Sequence, residues 1–347
     1  MNQKSELLET LTRTAYWFGE VGAAMGGPVS FTASGLMLGA SGHSAQRFRL
    51  DGDDILVLMT TLGDVVSELK YNRTTGGFDP MKGAPHYLQP ALALDPARKT
   101  RHKARVFVNT VPKAGTYLLA KALELQGFHS VGLHVMDDFV HDNRGIEESE
   151  IHWNPWSREV PVPARTIAAM LRPGEFAVGH VFTVEAMRAI RNEGVTLINV
   201  IREPRGLLAS MYTFKRTKVR PNRRDRLWQS MSGEEALKAY LISQPVESWI
   251  EQIRAMAIVG QPLRFEEISQ GQVDSRAVGG RWLARQISDG LAKAKGQETA
   301  TYSGRSRARD HALFEDVDVR RFLDDVGATD VSQRFWSDLN PSGQGET

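Results

Sequence analysis

Residues 104–127 read ARVFVNTVPKAGTYLLAKALELQG, and this stretch decides the fold. Residues 105–111 are a short run rich in β-branched side chains, which predicts a strand. A Pro-Lys-Ala-Gly turn follows at once, and a helix is predicted over residues 116–126, ended by Gly127. A strand, a tight turn and a helix in that order open a parallel α/β sheet with a phosphate site at the start of the helix.

Two more candidate strands follow the first one along the chain. Residues 176–179 and 195–201 are short apolar runs, and a helical segment is predicted after each of them. This spacing indicates βαβ units. Long amphipathic segments come later, around residues 234–243, 246–258 and 278–294. The sequence therefore predicts an α/β fold, in which a parallel sheet is flanked by helices and contains a P-loop-like strand-loop-helix.

The first hundred residues do not continue this pattern. Residues 6–18 have apolar positions at helical spacing, whereas residues 29–60 contain short β-prone runs. A basic stretch at residues 97–103 is typical of a solvated linker or a domain edge. We therefore predict a small N-terminal α+β extension of unknown role at residues 1–100 and an α/β domain at residues 101–340.

Composition narrows the class of protein. The 347 residues include no cysteine, which excludes disulfides, thiolate metal sites and cysteine nucleophiles. Lys and Arg number 43 against 41 Asp and Glu, so the net charge of +2 gives no argument for a nucleic-acid partner. The apolar stretch at residues 16–38 is interrupted by Glu20, and the N-terminus lacks the pattern of a secretory signal. We expect a cytoplasmic enzyme without a membrane span.

The turn at residues 112–118 has the composition of a phosphate cradle. Its backbone N–H groups and the positive end of the helix dipole would face an anion. Gly115 lets the backbone approach closely, Lys113 adds a positive charge, and the hydroxyl of Thr116 can donate a hydrogen bond. A nucleotide triphosphatase loop reads Gly-x-x-x-x-Gly-Lys-Ser/Thr, whereas here the lysine precedes the glycine. The way in which this loop would hold phosphate therefore differs from that of a nucleotide triphosphatase loop.

A second motif follows the strand predicted at residues 195–201. Arg202 stands at the tip of the strand, Pro204 follows it, and Ser210 lies one to two turns into the next predicted helix. Open α/β folds bind ligands over the carboxyl edge of the sheet. Arg202 and Ser210 are therefore placed to reach a single phosphate.

The two motifs resemble those of the PAPS-dependent sulfotransferase family, where PAPS is 3′-phosphoadenosine-5′-phosphosulfate. The 5′-phosphosulfate loop of that family reads Pro-Lys-Ser-Gly-Thr-Thr-Trp in many members. Its 3′-phosphate motif is Arg-x-Pro-x-x-x-x-x-Ser, and the interval of eight is kept here. Leu118 replaces a tryptophan that stacks on adenine in some members. The resemblance implies contacts to PAPS from Lys113, Ala114, Gly115, Thr116, Tyr117, Leu118, Arg202 and Ser210.

Two further segments are similar to parts of that family. Gly179-His180 resembles the Gly-His pair that supplies a catalytic base in many members, and imidazole has a pKa suited to this task near neutral pH. His134 is a reserve candidate for the base. Residues 302–311 loosely resemble the late segment that closes over the 3′-phosphate. The resemblance places Arg305, Ser306 and Arg307 near that phosphate.

The family's chemistry implies a role for two residues in particular. Lys113 would stabilise the leaving phosphate oxygen, and His180 would remove the proton of a hydroxyl or amine on a glycan or small-molecule acceptor. The nucleotide product would be PAP, 3′-phosphoadenosine-5′-phosphate. We expect no metal, because the sequence has no ligand cluster with the spacing of a zinc or two-metal site. Homo-oligomer formation is left open.

Two other functions fit the same cradle. A P-loop kinase would use the strand-loop-helix but would need magnesium and a lysine for the γ-phosphate. A non-catalytic module would bind a nucleotide or a polyanion without turnover, and the basic run at residues 215–226 would then be its contact surface. ATP hydrolysis or transfer favours the kinase, whereas binding of PAP or polyanions without any product favours the module.

Overall fold

The structure is a computed structural model that describes residues 3–23, 25–39, 44–147, 150–151, 155–217, 223–295, 314 and 316–337. These residues form two β-sheets, one from the N-terminal hundred residues and one from the rest of the chain. Among the helices described, none is long and apolar enough to cross a membrane.

The N-terminal part of the chain forms one helix and an eight-stranded antiparallel sheet. The bounds are α1 Gln3–Thr12, β1 Thr14–Glu20, β2 Pro28–Phe31, β3 Met37–Leu38, β4 Arg47–Asp51, β5 Ile55–Met59, β6 Val65–Asn72, β7 Gly77–Pro80 and β8 His86–Ala93. The strand order is β3-β2-β1-β8-β7-β6-β5-β4. A bridge between Leu36 and Arg47 connects the two ends, so the sheet is nearly closed.

This N-terminal unit is richer in strands than the sequence predicted. The helix predicted at residues 6–18 ends at Thr12, because Tyr16 and Phe18 are buried within β1 of the sheet. Tyr16 packs edge-on against Phe31 and Phe78, with ring centroids 6.0 and 5.8 Å apart. These side chains belong to a hydrophobic core that is separate from that of the second sheet. The N-terminal extension thus combines a helix with strands, as predicted, but its sheet is larger than the short β-prone runs indicated.

The second sheet begins within residues 104–127. Its strands are β9 Val106–Thr110, β10 His129–Val135, β11 Val140–Asp142, β12 Glu159–Val160, β13 Glu175–Gly179, β14 Thr196–Ile201 and β15 Leu263–Arg264, in the order β12-β11-β10-β13-β9-β14-β15. The five neighbours β10, β13, β9, β14 and β15 are parallel, which confirms the prediction of a parallel sheet for these strands. The strands β11 and β12 are antiparallel, which corrects it. Only residues 136–139 connect β10 to β11, too few for a crossover, so this pair is a hairpin.

Helices flank the second sheet. Their bounds are α2 Thr116–Glu124, α3 Ala164–Met170, α4 Val184–Asn192, α5 Pro204–Thr217, α6 Arg223–Gln229, α7 Gly233–Ser243, α8 Val246–Val259, α9 Phe265–Ile268, α10 Arg281–Ala294, α11 Val317–Asp325 and α12 Ala328–Trp336, with a 3₁₀ turn at Pro155–Arg158. The helix α10 packs against α2, and α8 packs against α4 and β14. Every residue of β9 and β13 is buried, as expected for parallel strands that are covered on both faces.

A buried ion pair connects the two sheets. Arg13 donates from Nη1 to Oε2 of Glu175 at 2.6 Å and from Nη2 to Oε1 at 2.9 Å, and the two side chains are only 4% and 6% exposed. Ala15, Leu92 and Leu94 also belong to the core of the second sheet. The N-terminal unit therefore packs closely on the rest of the chain, and the division into two domains at residue 100 stays a prediction.

The basic stretch at residues 97–103 is not solvated throughout. His102 is buried, and its ring stacks on Phe128 with the centroids 4.2 Å apart. Its Nε2 lies 2.8 Å from the carbonyl oxygen of Gln126. The stretch therefore connects the two sheets as a segment anchored by one histidine.

Candidate active site

Three loops meet at the carboxyl edge of the second sheet. The strands β13, β9 and β14 are neighbours; His180 follows the first, the cradle at residues 112–118 follows the second, and Arg202 follows the third. Parallel strands present their carboxyl ends at one edge, so these groups lie together. Two direct contacts connect them, one from Arg202 to Lys113 and one from His180 to Thr110.

The cradle turns sharply at Lys113 and Gly115. Both residues have positive φ angles, 65° and 88°. A Cβ atom at Gly115 would lie 2.9 Å from the ring of Phe265, so glycine is needed for backbone conformation and for space. Gly115 is also the N-cap of α2 and has no side chain to bond the N–H groups of the first turn. Those N–H groups are therefore oriented for an anion.

Two positive charges lie beside the cradle. Arg202 donates from Nη1 to the carbonyl oxygen of Lys113 at 2.6 Å. Nζ of Lys113 lies 3.9 Å from the ring centroid of Phe214, and the guanidinium of Arg202 lies 4.4 Å from that of Phe265. Burial, and after it the charge of Arg202, lowers the pKa of Lys113 to about 7. An anion bound here would offset both causes, so the electrostatics favour a phosphate or sulfate group.

The ring of His180 has a defined tautomer. Its Nδ1 lies 2.7 Å from the carbonyl oxygen of Thr110 and 3.2 Å from the hydroxyl of the same residue. A carbonyl oxygen can only accept, so Nδ1 has the proton and Nε2 has the lone pair. Burial lowers the pKa of His180 to about 4, and hydrogen bonds with the backbone of Thr110 and Gly179 offset part of that effect. The half-buried imidazole is therefore neutral near pH 7, with Nε2 as a proton acceptor.

Gly179, the residue before His180, is required for steric reasons. A Cβ atom at Gly179 would lie 2.0 Å from the carbonyl oxygen of Val135. The N–H of His180 donates to the same carbonyl at 2.9 Å. The close approach of β10 to β13 therefore fixes the backbone of His180.

Thr110 also contacts the cradle. Its hydroxyl lies 2.6 Å from the hydroxyl of Thr116, the first residue of α2, and both side chains are buried. One residue thus connects the phosphate loop to the imidazole. No sequence-based prediction named Thr110, although the two polar residues Asn109 and Thr110 at the end of an apolar run are a signal that points to it.

A row of rings extends from His180 over the antiparallel edge of the sheet. The ring of His134 lies edge-on to that of His180, with centroids 4.5 Å apart. His141 is the register partner of His134 on β11, at 6.4 Å, and Trp156 lies 6.2 Å further on. Trp156 is 68% exposed, so its ring is accessible to a ligand. His134, the reserve candidate for the base, lies beside His180 in this row.

The other residues that were predicted to contact PAPS differ in burial and in position. Tyr117 and Leu118 are half-buried in the first turn of α2, whereas Ala114 is fully buried. Ser210 is half-buried on α5, and none of its described contacts joins it to Arg202. The three residues predicted near the 3′-phosphate, Arg305, Ser306 and Arg307, lie outside the described residues. Within the described ranges, no group of three or more His, Asp or Glu side chains is arranged to hold a metal ion.

Known protein families and solved structures include some that this chain resembles. The model of the sulfotransferase domain family matches residues 103–282, just over half of the chain. No curated protein sequence matches. Among solved structures, the mouse sulfotransferase SULT7A1 complexed with PAP is 13% identical, with a TM-score of 0.38 over 70% of this chain and 87% of the other. Retinol dehydratase in a complex with retinol and PAP is 12% identical, with a TM-score of 0.31 over 84% of this chain and 92% of the other.

Proposed function

The chain belongs to the sulfotransferase domain family, and from this premise we propose that it transfers the sulfuryl group of PAPS to a hydroxyl or an amine of a glycan or small-molecule acceptor. In this reaction the acceptor oxygen or nitrogen forms a bond to sulfur. The bond between sulfur and the bridging oxygen of the 5′-phosphate breaks, and PAP leaves with that electron pair. The acceptor proton goes to a base, so the site needs a base and a positive charge on opposite sides of the sulfur.

One observation supports this function most directly. The hydrogen bonds of Thr110 to His180 and to Thr116 place a neutral imidazole beside an anion cradle. Nε2 of His180 has a lone pair at neutral pH, because the proton of this tautomer is on Nδ1. His180 is therefore the base that removes the acceptor proton.

Lys113 supplies the positive charge for the leaving group. As the bond to sulfur breaks, negative charge develops on the bridging oxygen, and a nearby ammonium stabilises it. Near pH 7 about half of the Lys113 amine is protonated in the unliganded protein, and a bound anion raises its pKa from the value of about 7. Binding of the donor thus keeps Lys113 charged for the reaction.

The 3′-phosphate distinguishes PAPS from ATP, and Arg202 is its main partner in this proposal. Arg202 is already held at the cradle by its bond to the carbonyl of Lys113. Ser210 approaches the same phosphate from α5, and Arg305, Ser306 and Arg307 complete the contact. The backbone N–H groups of residues 115–118 hold the 5′-phosphate.

The row of rings beside His180 is the proposed acceptor surface. Aromatic faces suit a sugar ring or a flat phenol. Beside this surface, Arg144 donates to Asp142 at 2.8 Å, and Arg158 donates to the neutral side-chain oxygen of Asn143 at 3.2 Å. The row of rings therefore suits a sugar or a phenol as the acceptor.

Calorimetric titration with PAP, AMP and ATP tests the donor part of the proposal. We expect PAP to bind most tightly, and Arg202→Ala and Ser210→Ala to weaken PAP binding while AMP binding is unchanged, because only PAP has the 3′-phosphate. Equal or tighter ATP binding, unaffected by both substitutions, would refute the proposed donor and favour a kinase.

A further inference from the structure

A buried glutamine spans the ends of the two strands that form the site. Gln252 on α8 is 1% exposed, and its Nε2 donates to the carbonyl oxygen of Thr110 at 3.2 Å and to that of Val181 at 3.0 Å. Both partners are carbonyls, which only accept, so the amide nitrogen and not the amide oxygen faces them. The orientation of the side chain is therefore fixed by its partners.

Both carbonyls belong to backbone that contacts or follows the base. Thr110 is the last residue of β9 and accepts the hydrogen bond from Nδ1 of His180. Val181 is the residue after His180. The amide of Gln252 therefore sets the distance between the carbonyl that orients the imidazole and the backbone that holds it.

The side-chain amide of Asn109 also holds the backbone of Val181. Asn109 accepts from the N–H of Val181 at 2.8 Å and donates to its carbonyl oxygen at 3.3 Å. The Nδ2 group of Asn109 also donates to Asn199 at 3.0 Å, which orients the amide. Val181 is thus held at both its N–H and its C=O, so the backbone after His180 cannot move independently of β9.

This arrangement has a cost in stability. Oε1 of Gln252 is buried, and it has no hydrogen-bond partner among the described residues. Burying a polar atom without a partner is destabilising, and an apolar side chain of similar size at this position avoids the penalty. A glutamine at this place is therefore poorly explained by stability alone, whereas its two N–H donors act directly on the geometry of the base.

We propose that Gln252 is a positioning residue for the sulfuryl transfer, which holds the Thr110 carbonyl against Nδ1 of His180 and so keeps Nε2 as the proton-accepting nitrogen. The proposal rests on the proposed function, since it concerns the base of that reaction. It assigns to α8 a role in the chemistry without contact to either substrate.

The test replaces Gln252 by methionine, which has a similar length and no N–H donors. We expect kcat to fall about 10–100-fold, the range seen when a residue that orients a functional side chain is removed. Binding of PAP and the acceptor KM stay unchanged, and the melting temperature is equal or higher because the unpartnered oxygen is gone. Gln126→Met is the matched control. Gln126 is also buried with an unpartnered amide atom, but it follows the C-terminal end of α2, whereas the cradle lies at the N-terminal end.

A second measurement reads the imidazole itself in the resting protein. The ¹⁵N chemical shifts of His180, assigned by comparison with a His180→Gln variant, should show a single Nδ1–H tautomer in the wild type and in Gln126→Met. In Gln252→Met we expect a mixture of tautomers. If the methionine variant does not fold, Gln252→Leu takes its place, because leucine also fills the site without donors.

Two results would overturn the proposal. One is an unchanged kcat in a folded Gln252→Met or Gln252→Leu protein. The other is a fall in kcat that is matched by losses of PAP affinity and melting temperature, with the single tautomer of His180 retained, which would mean a structural role only. Failure of the proposed function looks different, since the wild type would then neither bind PAP nor turn over PAPS, while the tautomer measurement would still report on Gln252.

Discussion

Nδ1 of His180 lies 2.7 Å from the carbonyl oxygen of Thr110, the last residue of the strand that leads into the phosphate cradle. In the proposed reaction, the same strand end therefore supports both the loop that binds the donor and the imidazole that accepts the proton. Since the hydroxyl of Thr110 also contacts Thr116 at 2.6 Å, a shift of the cradle shifts the base with it. If the proposed roles hold, Thr110 couples donor binding to acceptor activation, because it contacts both groups.

Replacement of His180 by glutamine should lower kcat by about 10²–10⁴-fold, the usual contribution of a general base. PAP affinity should be unchanged, because the donor contacts are made by other residues. The measurement compares the steady-state rate and the PAP titration of His180→Gln with those of His129→Gln. His129 is the first residue of β10. A rate equal to that of the control would show that His180 is not the base.

The pH profile of the wild type provides an independent check on His180. The base must be neutral to accept a proton, and burial lowers its pKa to about 4. Activity should therefore be lost only as the pH falls through about 4, whereas an exposed histidine would lose it near about 6.5. An acidic limb of kcat/KM near 6.5 would contradict the half-buried, Thr110-bonded imidazole.

PAP binding should be accompanied by proton uptake at slightly alkaline pH. The pKa of Lys113 is lowered to about 7 by burial and by Arg202, so the amine is largely neutral above that pH in the unliganded protein. A bound anion raises the pKa, and the protein then takes up a proton. Calorimetry in buffers of different ionisation enthalpy measures this uptake, which Lys113→Met should abolish and Lys121→Met should leave intact. Uptake that persists in Lys113→Met would assign the proton to another group.

Removal of the exposed tryptophan should weaken acceptor binding only. In Trp156→Ala we expect the acceptor KM to rise about 2–10-fold, in line with the value of one aromatic contact. PAP affinity should be unchanged. Trp282, which is 51% exposed and packs near His102 and Phe128, provides the matched control. An equal effect of both alanine variants would exclude Trp156 as an acceptor contact.

Disruption of the ion pair between the two sheets should be costly. Arg13→Met leaves Glu175 buried without its partner, which we expect to lower the free energy of unfolding by about 3–5 kcal/mol. Urea denaturation measures this change. The exposed pair of Arg49 and Asp51 is the control, because Arg49→Met removes an ion pair that is exposed to solvent. A loss in Arg13→Met no larger than in the control would show that the two sheets are held together by other contacts.

The parts of the structure that depend on local sequence were predictable. The strand and helix around the cradle, the segment ending in Gly179 and the start of α5 after Arg202 all follow from local patterns, and the structure confirms them. The N-terminal sheet was underestimated, because its strands are short and residues 14–18 fit a helical pattern as well as a strand. Only the pairing of β1 with β8 decides between the two.

The supporting residues of the site depend on tertiary contacts. Gln252 lies on a helix more than a hundred residues from Thr110 in the sequence, and nothing in the helical pattern distinguishes it from a solvent-facing glutamine. Glu175, the ion-pair partner of Arg13, is 162 residues away from it in the sequence. Sequence motifs therefore indicated the groups that are proposed to contact a ligand, whereas the groups that contact those residues are identified only by the tertiary structure.

Transfer of label from [³⁵S]PAPS to a panel of phenols, neutral sugars, anionic glycans and amines tests the central claim most directly. The account predicts a labelled product with at least one hydroxyl or amine acceptor, formed at a rate that falls about 10²–10⁴-fold in His180→Gln. PAP binding without a labelled product from any acceptor, or a product formed as fast by His180→Gln as by the wild type, would contradict it.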